Sequence, residues 1–307
     1  MRERRTIEIT PFGSTLVVDS DSSELLEQVR AGLGRYPAQP SIGGSLRVRA
    51  TIDDSLQGPS GWPAMSAEID NDRMTVRCGQ STMVVDRRAG EATITLAPAM
   101  LDQPDALRLL VEGAFTSTHA FAGRLYAMHS GFVTAGGRGL VLRGPSGAGK
   151  STLTYCCMRA GMGVVSDDWL YGSASHGPDV LTGYPWRMMM TTAAAEQFPE
   201  LRGAAVVAHP SDDRWKIPIV PPADQQIVQH AVHAVVFIEP DGDLSVDQID
   251  EVRAAELFWE SSLATERETL APEWVQRLLD RPRFVLHRGA SPTAAADALQ
   301  RLAISLR

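Results

Sequence analysis

The sequence predicts an α/β fold with a smaller β-rich domain at its N-terminal end. Two observations support this prediction. Short runs of alternating apolar and polar residues fill the first hundred positions, and apolar strands alternate with helical segments after Pro104. Because 307 residues exceed what one small hydrophobic core requires, we predict two domains, at residues 1–101 and 102–307.

The N-terminal domain is predicted to contain six strands and one helix, with turn-forming Gly, Pro, Asp and Asn residues between the strands. Either Asp21 or Ser22 can cap the helix, and Gly32 with Gly34 can end it. The stretch from Gly58 to Met65 is expected to be a surface loop. The predicted strands are TIEIT, STLVV, SLRVRATI, RMTVRC, STMVV and ATITL, and the apolar face of the helix consists of Leu25, Leu26, Val29 and Leu33.

The C-terminal domain is predicted to alternate strands with helices. A long helix starts near Pro104 and carries apolar residues at helical spacing. Such alternation is typical of a layered α/β domain. The predicted strands are GLVLRG, GVVS, HAVVFIE and RFVLH, and the further helices cover about 151–160, 249–263, 272–279 and the segment that begins at Ser291.

The composition restricts the class of partner. A net charge of −8 argues against a general affinity for nucleic acid or anionic lipid. The first residues, MRERRTIEIT, resemble neither a signal peptide nor an amphipathic presequence, and no apolar run is long enough to cross a bilayer. Cys78, Cys156 and Cys157 lack metal-binding spacing and are expected to be reduced, mostly buried thiols. We therefore expect a cytoplasmic protein whose partners are small molecules or proteins.

The stretch GPSGAGKS fits the pattern G-x-x-x-x-G-K-[ST] and lies between an apolar strand and a helix-forming segment. Its glycines allow successive N–H groups to converge on phosphate oxygens. Lys150 would reach the β and γ phosphates, and Ser151 would hold Mg²⁺. The predicted nucleotide-binding residues of this loop are Gly144, Pro145, Ser146, Gly147, Ala148, Gly149, Lys150, Ser151 and Thr152.

Two adjacent aspartates, Asp167 and Asp168, follow the loop after one helix and the strand GVVS. If that strand runs parallel to GLVLRG, its carboxyl end emerges beside the phosphate loop. Two carboxylates beside a triphosphate require a cation between them, so Mg²⁺ is expected. One aspartate would then hold the metal, while the other deprotonates an acceptor hydroxyl. The alternative is that the pair only begins a turn after the strand.

The string HSGFVTAGGRGLVLRGPSGAGKSTLTYCCMRAGMGVVSDDWL resembles the catalytic domain of HPr kinase/phosphorylase and its relatives in the phosphoenolpyruvate-carboxykinase-like superfamily. In that family a histidine precedes the phosphate loop, and an Asp-Asp pair follows it, at the spacings of His129, Lys150 and Asp167. The resemblance implies a P-loop core of this type within residues 102–307. It also implies that Asp167 is the general base toward a serine-type hydroxyl and that His129 lies near the aspartates and the phosphates. Ser151 and Asp168 are then the expected metal ligands.

Two later segments depart from the family pattern. In the family's Glu-x-Arg-Gly signature the glutamate serves the metal and the arginine the phosphates. The segment GYPWRMMM meets this signature in part, since Arg187 would be the phosphate-binding arginine but no glutamate accompanies it. The segment RWKIPIVPP resembles a later basic segment, in which Lys216 or Arg214 would approach a phosphate. The basic residues expected after its second proline are missing, since 221–223 read Pro-Pro-Ala. These departures favour an acceptor other than HPr and argue against a reverse phosphorylase reaction.

Three further groups of residues have simpler interpretations. Met188, Met189 and Met190 are consecutive and are expected to pack in a strand or loop. Arg138 and Arg143 are expected to be surface charges. The tryptophans near the site segments are expected to line a pocket rather than stack on a ligand, and they are Trp169, Trp186 and Trp215.

The function expected from the motif and the resemblance is that of an ATP-dependent, Mg²⁺-requiring kinase that phosphorylates a hydroxyl. The acceptor is expected to be a peptide or a small molecule rather than HPr, with other proteins left open. The alternative is a nucleotide-binding regulatory module, or a slow ATPase, that has no phosphoryl acceptor. A motor ATPase is disfavoured because no LSGGQ-like signature is present. A homo-oligomer is possible, and the sequence does not choose between ATP and GTP.

Overall fold

The structure is a computed structural model that describes residues 3–58, 65–208 and 215–306. The chain forms two compact units, one of residues 1–125 with 207–215 and the other of residues 126–206 with 216–307. The boundary therefore lies after Leu125 rather than after residue 101. The long helix at Pro104–Phe121 accounts for the difference, because it packs on the first unit's own sheet and helix.

Up to Leu125, the described residues of the first unit form one mixed sheet and two α-helices. Its elements are β1 (Arg5–Ile9), β2 (Thr15–Ser20), α1 (Ser23–Gly32), β3 (Ser45–Ile52), β4 (Met65–Asp70), β5 (Arg73–Cys78), β6 (Ser81–Asp86), β7 (Glu91–Leu96) and α2 (Pro104–Phe121). The seven strands lie in the order β1-β2-β3-β7-β6-β5-β4, and the pairs β2–β3 and β3–β7 are parallel.

Alternation of apolar side chains explains how this sheet builds its core. Every second residue of β3 is buried, and so are Leu25, Leu26 and Val29 of α1. Ser22 caps α1 by accepting the N–H of Leu25 at 3.2 Å, which settles the choice between the two predicted caps. Strand β4 was not predicted, because it reads MSAEID, is mostly exposed and forms one edge of the sheet. Most of the predicted loop between Gly58 and Met65 lies outside the described residues.

The rest of the chain contains thirteen strands and six α-helices within its described residues. These elements are β8 (Leu125–His129), β9 (Gly131–Ala135), β10 (Arg138–Arg143), α3 (Lys150–Arg159), β11 (Gly163–Ser166), β12 (Trp169–Ser173), β13 (Gly177–Gly183), β14 (Met188–Thr191), α4 (Thr192–Ala195), β15 (Val207–Ala208), β16 (Trp215–Ile219), β17 (Gln229–Ala231), β18 (Ala234–Glu239), β19 (Ser245–Gln248), α5 (Glu251–Glu260), α6 (Ala264–Thr269), α7 (Pro272–Leu279), β20 (Arg283–His287) and α8 (Pro292–Ser305). Short 3-10 helices cover Pro11–Gly13, Leu33–Arg35, Pro98–Met100, Pro199–Leu201 and Ala223–Gln225.

The second unit is built around a six-stranded sheet in the order β11-β9-β10-β18-β20-β19. Strands β10, β18 and β20 are parallel neighbours, and β9 is antiparallel to both β10 and β11. Strand β11 therefore runs parallel to β10, as expected from the sequence, with β9 inserted between them. The ends of β10, β18 and β20 consequently lie at one edge of the sheet.

Both faces of this sheet are covered, so the fold is mixed α/β with several sheets. Leu140 and Leu142 of β10 belong to the core formed with α3 and α8. Val141 points the other way, into the core formed with α5 and α7. A second sheet of this unit has the order β17-β13-β12-β8, and β14 pairs antiparallel with β16. Met188 and Met190 are buried in the first of these cores, which confirms their expected packing role.

Two expectations from the composition can be compared with the described residues. No helix within 3–58, 65–208 and 215–306 is both long and apolar enough to span a bilayer. Cys78, Cys156 and Cys157 are buried free thiols, as predicted.

Candidate functional site

The predicted phosphate loop, residues 144–149, connects β10 to α3. Two of its glycines, Gly147 and Gly149, have φ values of 87° and 95°, a region that other residues rarely adopt. Gly149 is also the N-cap of α3 and supplies no side-chain acceptor to the first turn. The first N–H groups of a helix have no partner within the helix, and the helix dipole makes this end positive. The start of α3 therefore presents donors and positive potential to an anion, which fits a phosphate.

Lys150 lies over this loop. Its ammonium donates to the carbonyl oxygens of Gly144 at 2.8 Å and Pro145 at 3.2 Å, and the residue is only 6% exposed. An ammonium group has three donors, so one remains for a phosphate oxygen. Burial and the nearby Arg143 lower the pKa of Lys150 to about 8, while the negative charges of Asp168 and Glu266 oppose this shift. The charge of Asp168 thus favours the protonated form of Lys150, against the effect of burial.

Asp167 follows β11 and is buried, with 6% exposure. Its Oδ2 accepts the backbone N–H of Met189 at 3.1 Å, which links it to the start of β14. Burial and the adjacent Asp168 raise the pKa of Asp167 to about 7, against the opposing effects of the Met189 N–H and the charge of Lys216. A carboxyl group with a pKa near neutrality can both accept and release a proton at physiological pH.

Asp168 is oriented quite differently from its neighbour. Its side chain is 60% exposed, and its Oδ1 lies 3.2 Å from Nε2 of His129. Its carbonyl oxygen accepts the N–H of Ser130 at 2.8 Å, which fastens the end of β8 to the aspartate pair. The ring of Trp169 lies 5.8 Å from the imidazole of His129, between ring centroids. The structure therefore brings His129 to Asp168, while Asp167 points into the protein.

The two segments that depart from the family pattern, around Arg187 and Lys216, are also close to the aspartates. Arg187 is half-buried immediately before β14, the strand whose Met189 binds Asp167. Lys216 is the register partner of Thr191 across β14 and β16, and its charge stabilises ionised Asp167. Arg214, the alternative to Lys216, lies outside the described residues, as does the side chain of Trp215.

Oxygen donors suited to Mg²⁺ are available from Ser151 in the first turn of α3 and from the exposed carboxylate of Asp168. Within the described residues no group of three or more His, Cys, Asp or Glu side chains forms a metal cluster. Mg²⁺ generally uses one or two protein ligands together with water and substrate phosphates, so this donor set fits the ion.

Arg143 is not the surface charge that was expected, because it is completely buried. It is the last residue of β10, and its guanidinium pairs with the buried Glu266 at 2.6 Å. Alternation within GLVLRG gave no sign of this, since the partner lies more than a hundred residues away in α6. Arg138, the other residue of this expectation, is half-buried.

Arg288 is a site residue that the sequence prediction missed. A β-carbon placed on Gly149 would lie 3.6 Å from the Nε of Arg288 and 3.7 Å from its Cζ, so the guanidinium packs against the phosphate loop. Arg288 directly follows β20, and its N–H donates to the carbonyl oxygen of Glu239 at the end of β18. A basic residue directly after a predicted buried strand could have indicated this position. The carboxyl ends of parallel strands lie at one edge of the sheet, which is where ligands bind in α/β folds.

A solved structure of another protein is distantly similar to this chain. The sequence matches no protein-family model and no curated protein. Among solved structures, that of the Hpr(Ser) kinase/phosphatase from Coxiella burnetii is similar, with a TM-score of 0.28 and 13% sequence identity. The match covers 58% of this chain and 90% of the Coxiella chain.

Proposed function

We propose that this chain is an ATP-dependent kinase with an HPr-kinase-like P-loop core that transfers the γ-phosphoryl group to a serine-type hydroxyl. The observation that carries the proposal is the position of the aspartate pair. A buried Asp167 of raised pKa and an exposed Asp168 follow a strand parallel to β10, and the charge of Asp168 acts on Lys150 of the loop.

Each residue has a distinct task in this reaction. The N–H groups at the start of α3 and the ammonium of Lys150 hold the phosphates and neutralise charge on the leaving group. Ser151 and Asp168 would hold Mg²⁺, which when bound supplies positive charge to the phosphate oxygens. Asp167 accepts the proton of the acceptor hydroxyl while the oxygen–γ-phosphorus bond forms and the bond to the β-phosphate oxygen breaks. His129, 3.2 Å from Asp168, orients that carboxylate.

The alternative is a nucleotide-binding module or slow ATPase that has no acceptor, and one observation favours it. Asp167 is 6% exposed and already binds the Met189 N–H, so an acceptor hydroxyl has to reach a buried carboxylate. Peptides, proteins and small hydroxylated molecules all remain candidate acceptors for the kinase.

The test is phosphoryl transfer from γ-labelled ATP with Mg²⁺ to a set of serine-containing peptides and small polyols. We expect Asp167→Asn to lose at least about a hundredfold in transfer, the usual contribution of general-base catalysis, while its affinity for ATP is retained. Asp179→Asn is the matched control, since Asp179 is an exposed aspartate of the same unit that pairs with Arg277. Undiminished transfer by the Asp167 variant would contradict the assigned role. Release of inorganic phosphate with no labelled acceptor would support the alternative.

A further inference from the structure

Arg143 and Glu266 form a buried ion pair beside the phosphate loop, and no other ion pair among the described residues is less exposed. The two side chains are 0% and 1% exposed, and Nη1 of Arg143 lies 2.6 Å from Oε1 of Glu266. Burial lowers the pKa of Arg143, and the carboxylate of Glu266 opposes that shift. The two residues are far apart in the chain, at the end of β10 and in α6.

Arg143 uses its guanidinium to hold several segments at once. Nη1 also donates to the carbonyl oxygen of His129 at 3.1 Å and to the hydroxyl of Ser130 at 3.2 Å. Nη2 donates to the hydroxyl of Ser262 at 2.7 Å and to the carbonyl oxygen of Phe258 at 3.3 Å. The guanidinium also lies 4.1 Å above the centre of the Phe258 ring. The end of β8 is therefore fastened to the end of α5 through one side chain.

Glu266 completes the same arrangement from the other side. Its Oε1 accepts the backbone N–H of His129 at 3.0 Å, and its Oε2 accepts the N–H of Leu263 at 2.7 Å. Both the N–H and the carbonyl oxygen of His129 are thus bound by the pair. The backbone of this histidine is held from both sides, while its imidazole faces Asp168.

Stability alone is a weak reason for such a pair. Removing two charges from water costs about as much free energy as their attraction returns, and well-packed apolar side chains often serve equally well. Here the pair fixes the positions of backbone groups beside the loop. Arg143 is followed directly by Gly144, whose carbonyl oxygen binds Lys150, and the same guanidinium binds the backbone of His129.

We propose that Arg143 and Glu266 are positioning residues that hold His129 and the start of the phosphate loop in a fixed relation. This inference rests on the proposed function. Because both side chains are buried, the pair acts on the site through the backbone that it binds. It sets where the imidazole meets Asp168 and where the carbonyl oxygen of Gly144 meets Lys150, so that the loop and the aspartate pair face each other.

The experiment separates positioning from stability with single and double variants of the full chain. Glu266→Gln leaves a buried, unpaired cation and is expected to melt well below the wild type. Arg143→Met with Glu266→Gln removes both charges and is expected to recover much of that loss. For this double variant we expect a dissociation constant for Mg²⁺-ATP, measured by calorimetry, about tenfold higher than that of the wild type. The rate of phosphoryl transfer by this variant is expected to fall by a larger factor than its affinity for Mg²⁺-ATP.

Two more variants distinguish a loss of positioning from a loss of stability. Ser262→Ala removes one acceptor of Arg143 while the charges stay paired, so it is expected to fold and to lose about two- to fivefold in turnover. Glu112→Gln alters a buried carboxylate that pairs with Arg108 in the first unit, and it is expected to lower the melting temperature without changing ATP affinity.

The proposal is overturned if the double variant and the Ser262 variant both keep the ATP affinity and turnover of the wild type. It is also overturned if the losses of affinity and turnover across the variants only follow their melting temperatures. If the wild-type protein binds ATP but phosphorylates no acceptor, the proposed function fails. The affinity comparison then still tests the positioning role.

Discussion

Arg288 lies beside the predicted phosphate loop although it is not part of the sequence motif. Its Nε is buried and has no hydrogen-bond partner within the described part of the chain, although its charge acts on nearby Cys156. The guanidinium lies against Gly149, at the positive end of α3. A buried donor without a partner is costly, and a bound phosphate oxygen would satisfy it.

We therefore expect Arg288→Ala to weaken the binding of ATP by about tenfold, equivalent to ~1.4 kcal/mol. Arg288→Lys, which keeps the charge but lacks the fork of donors, is expected to lose less. Arg301→Ala serves as the control, because Arg301 is exposed on α8.

Calorimetry with ATP and with inorganic triphosphate identifies what Arg288 touches. If Arg288 contacts phosphate, the alanine variant binds both ligands more weakly. A loss confined to ATP would instead mean that Arg288 stacks on the base, and no loss for either ligand would remove Arg288 from the site.

At the scale of elements, the turn between β10 and α3 depends on a backbone conformation that only glycine adopts readily. Gly149→Ala adds a methyl group whose nearest neighbours are at ordinary contact distance, 3.6 Å and beyond. The strain therefore comes from φ at 95° and not from a collision. We expect the variant to lose about 1 kcal/mol of stability and to bind ATP at least tenfold more weakly, because its amides no longer converge.

Gly137 offers a matched control for this prediction. It has a φ of 75°, and an added β-carbon would meet no atom within 4 Å in the described structure, in the turn between β9 and β10. Gly137→Ala is expected to show a similar shift in urea midpoint with unchanged ATP affinity. Equal losses of affinity in the two variants would mean that the effect is one of stability alone.

Elements with clear periodicity were predicted from the sequence, whereas long-range contacts were not. The segments GVVS and RFVLH form strands at those residues, and Pro272–Leu279 forms a helix, because local apolar patterns and caps decide such elements. Strand β4 escaped prediction because it is exposed on both faces. The burial of Arg143 and the position of Arg288 depend on partners brought together by sheet order, which no local pattern contains.

At the scale of the whole molecule, the stability of the folded state depends on pH through two buried titratable groups. Their effects have opposite signs. His119 of the first unit contacts the hydroxyl of Ser14 at 2.9 Å and the ring of Phe115. Burial and the nearby Arg124 lower its pKa to about 4. In the second unit, burial and Asp168 raise the pKa of Asp167 to about 7. As the pH falls, protonation of His119 disfavours the folded state, while protonation of Asp167 favours it.

The contribution of His119 can be isolated by comparing the wild type with His119→Gln. Between pH 6.5 and about 4 the unfolded chain binds a proton at this position that the folded chain does not, so the folded state loses up to about 3 kcal/mol. The loss begins below pH 6.5 and levels off below about pH 4. In urea denaturation at a series of pH values, we expect the glutamine variant to be less stable at pH 7.5 but to lose less stability toward pH 4. Because Asp167 is present in both proteins, its opposing effect cancels in the difference. Parallel stability curves for the two proteins would show that His119 titrates at the same pH in the folded and unfolded chains.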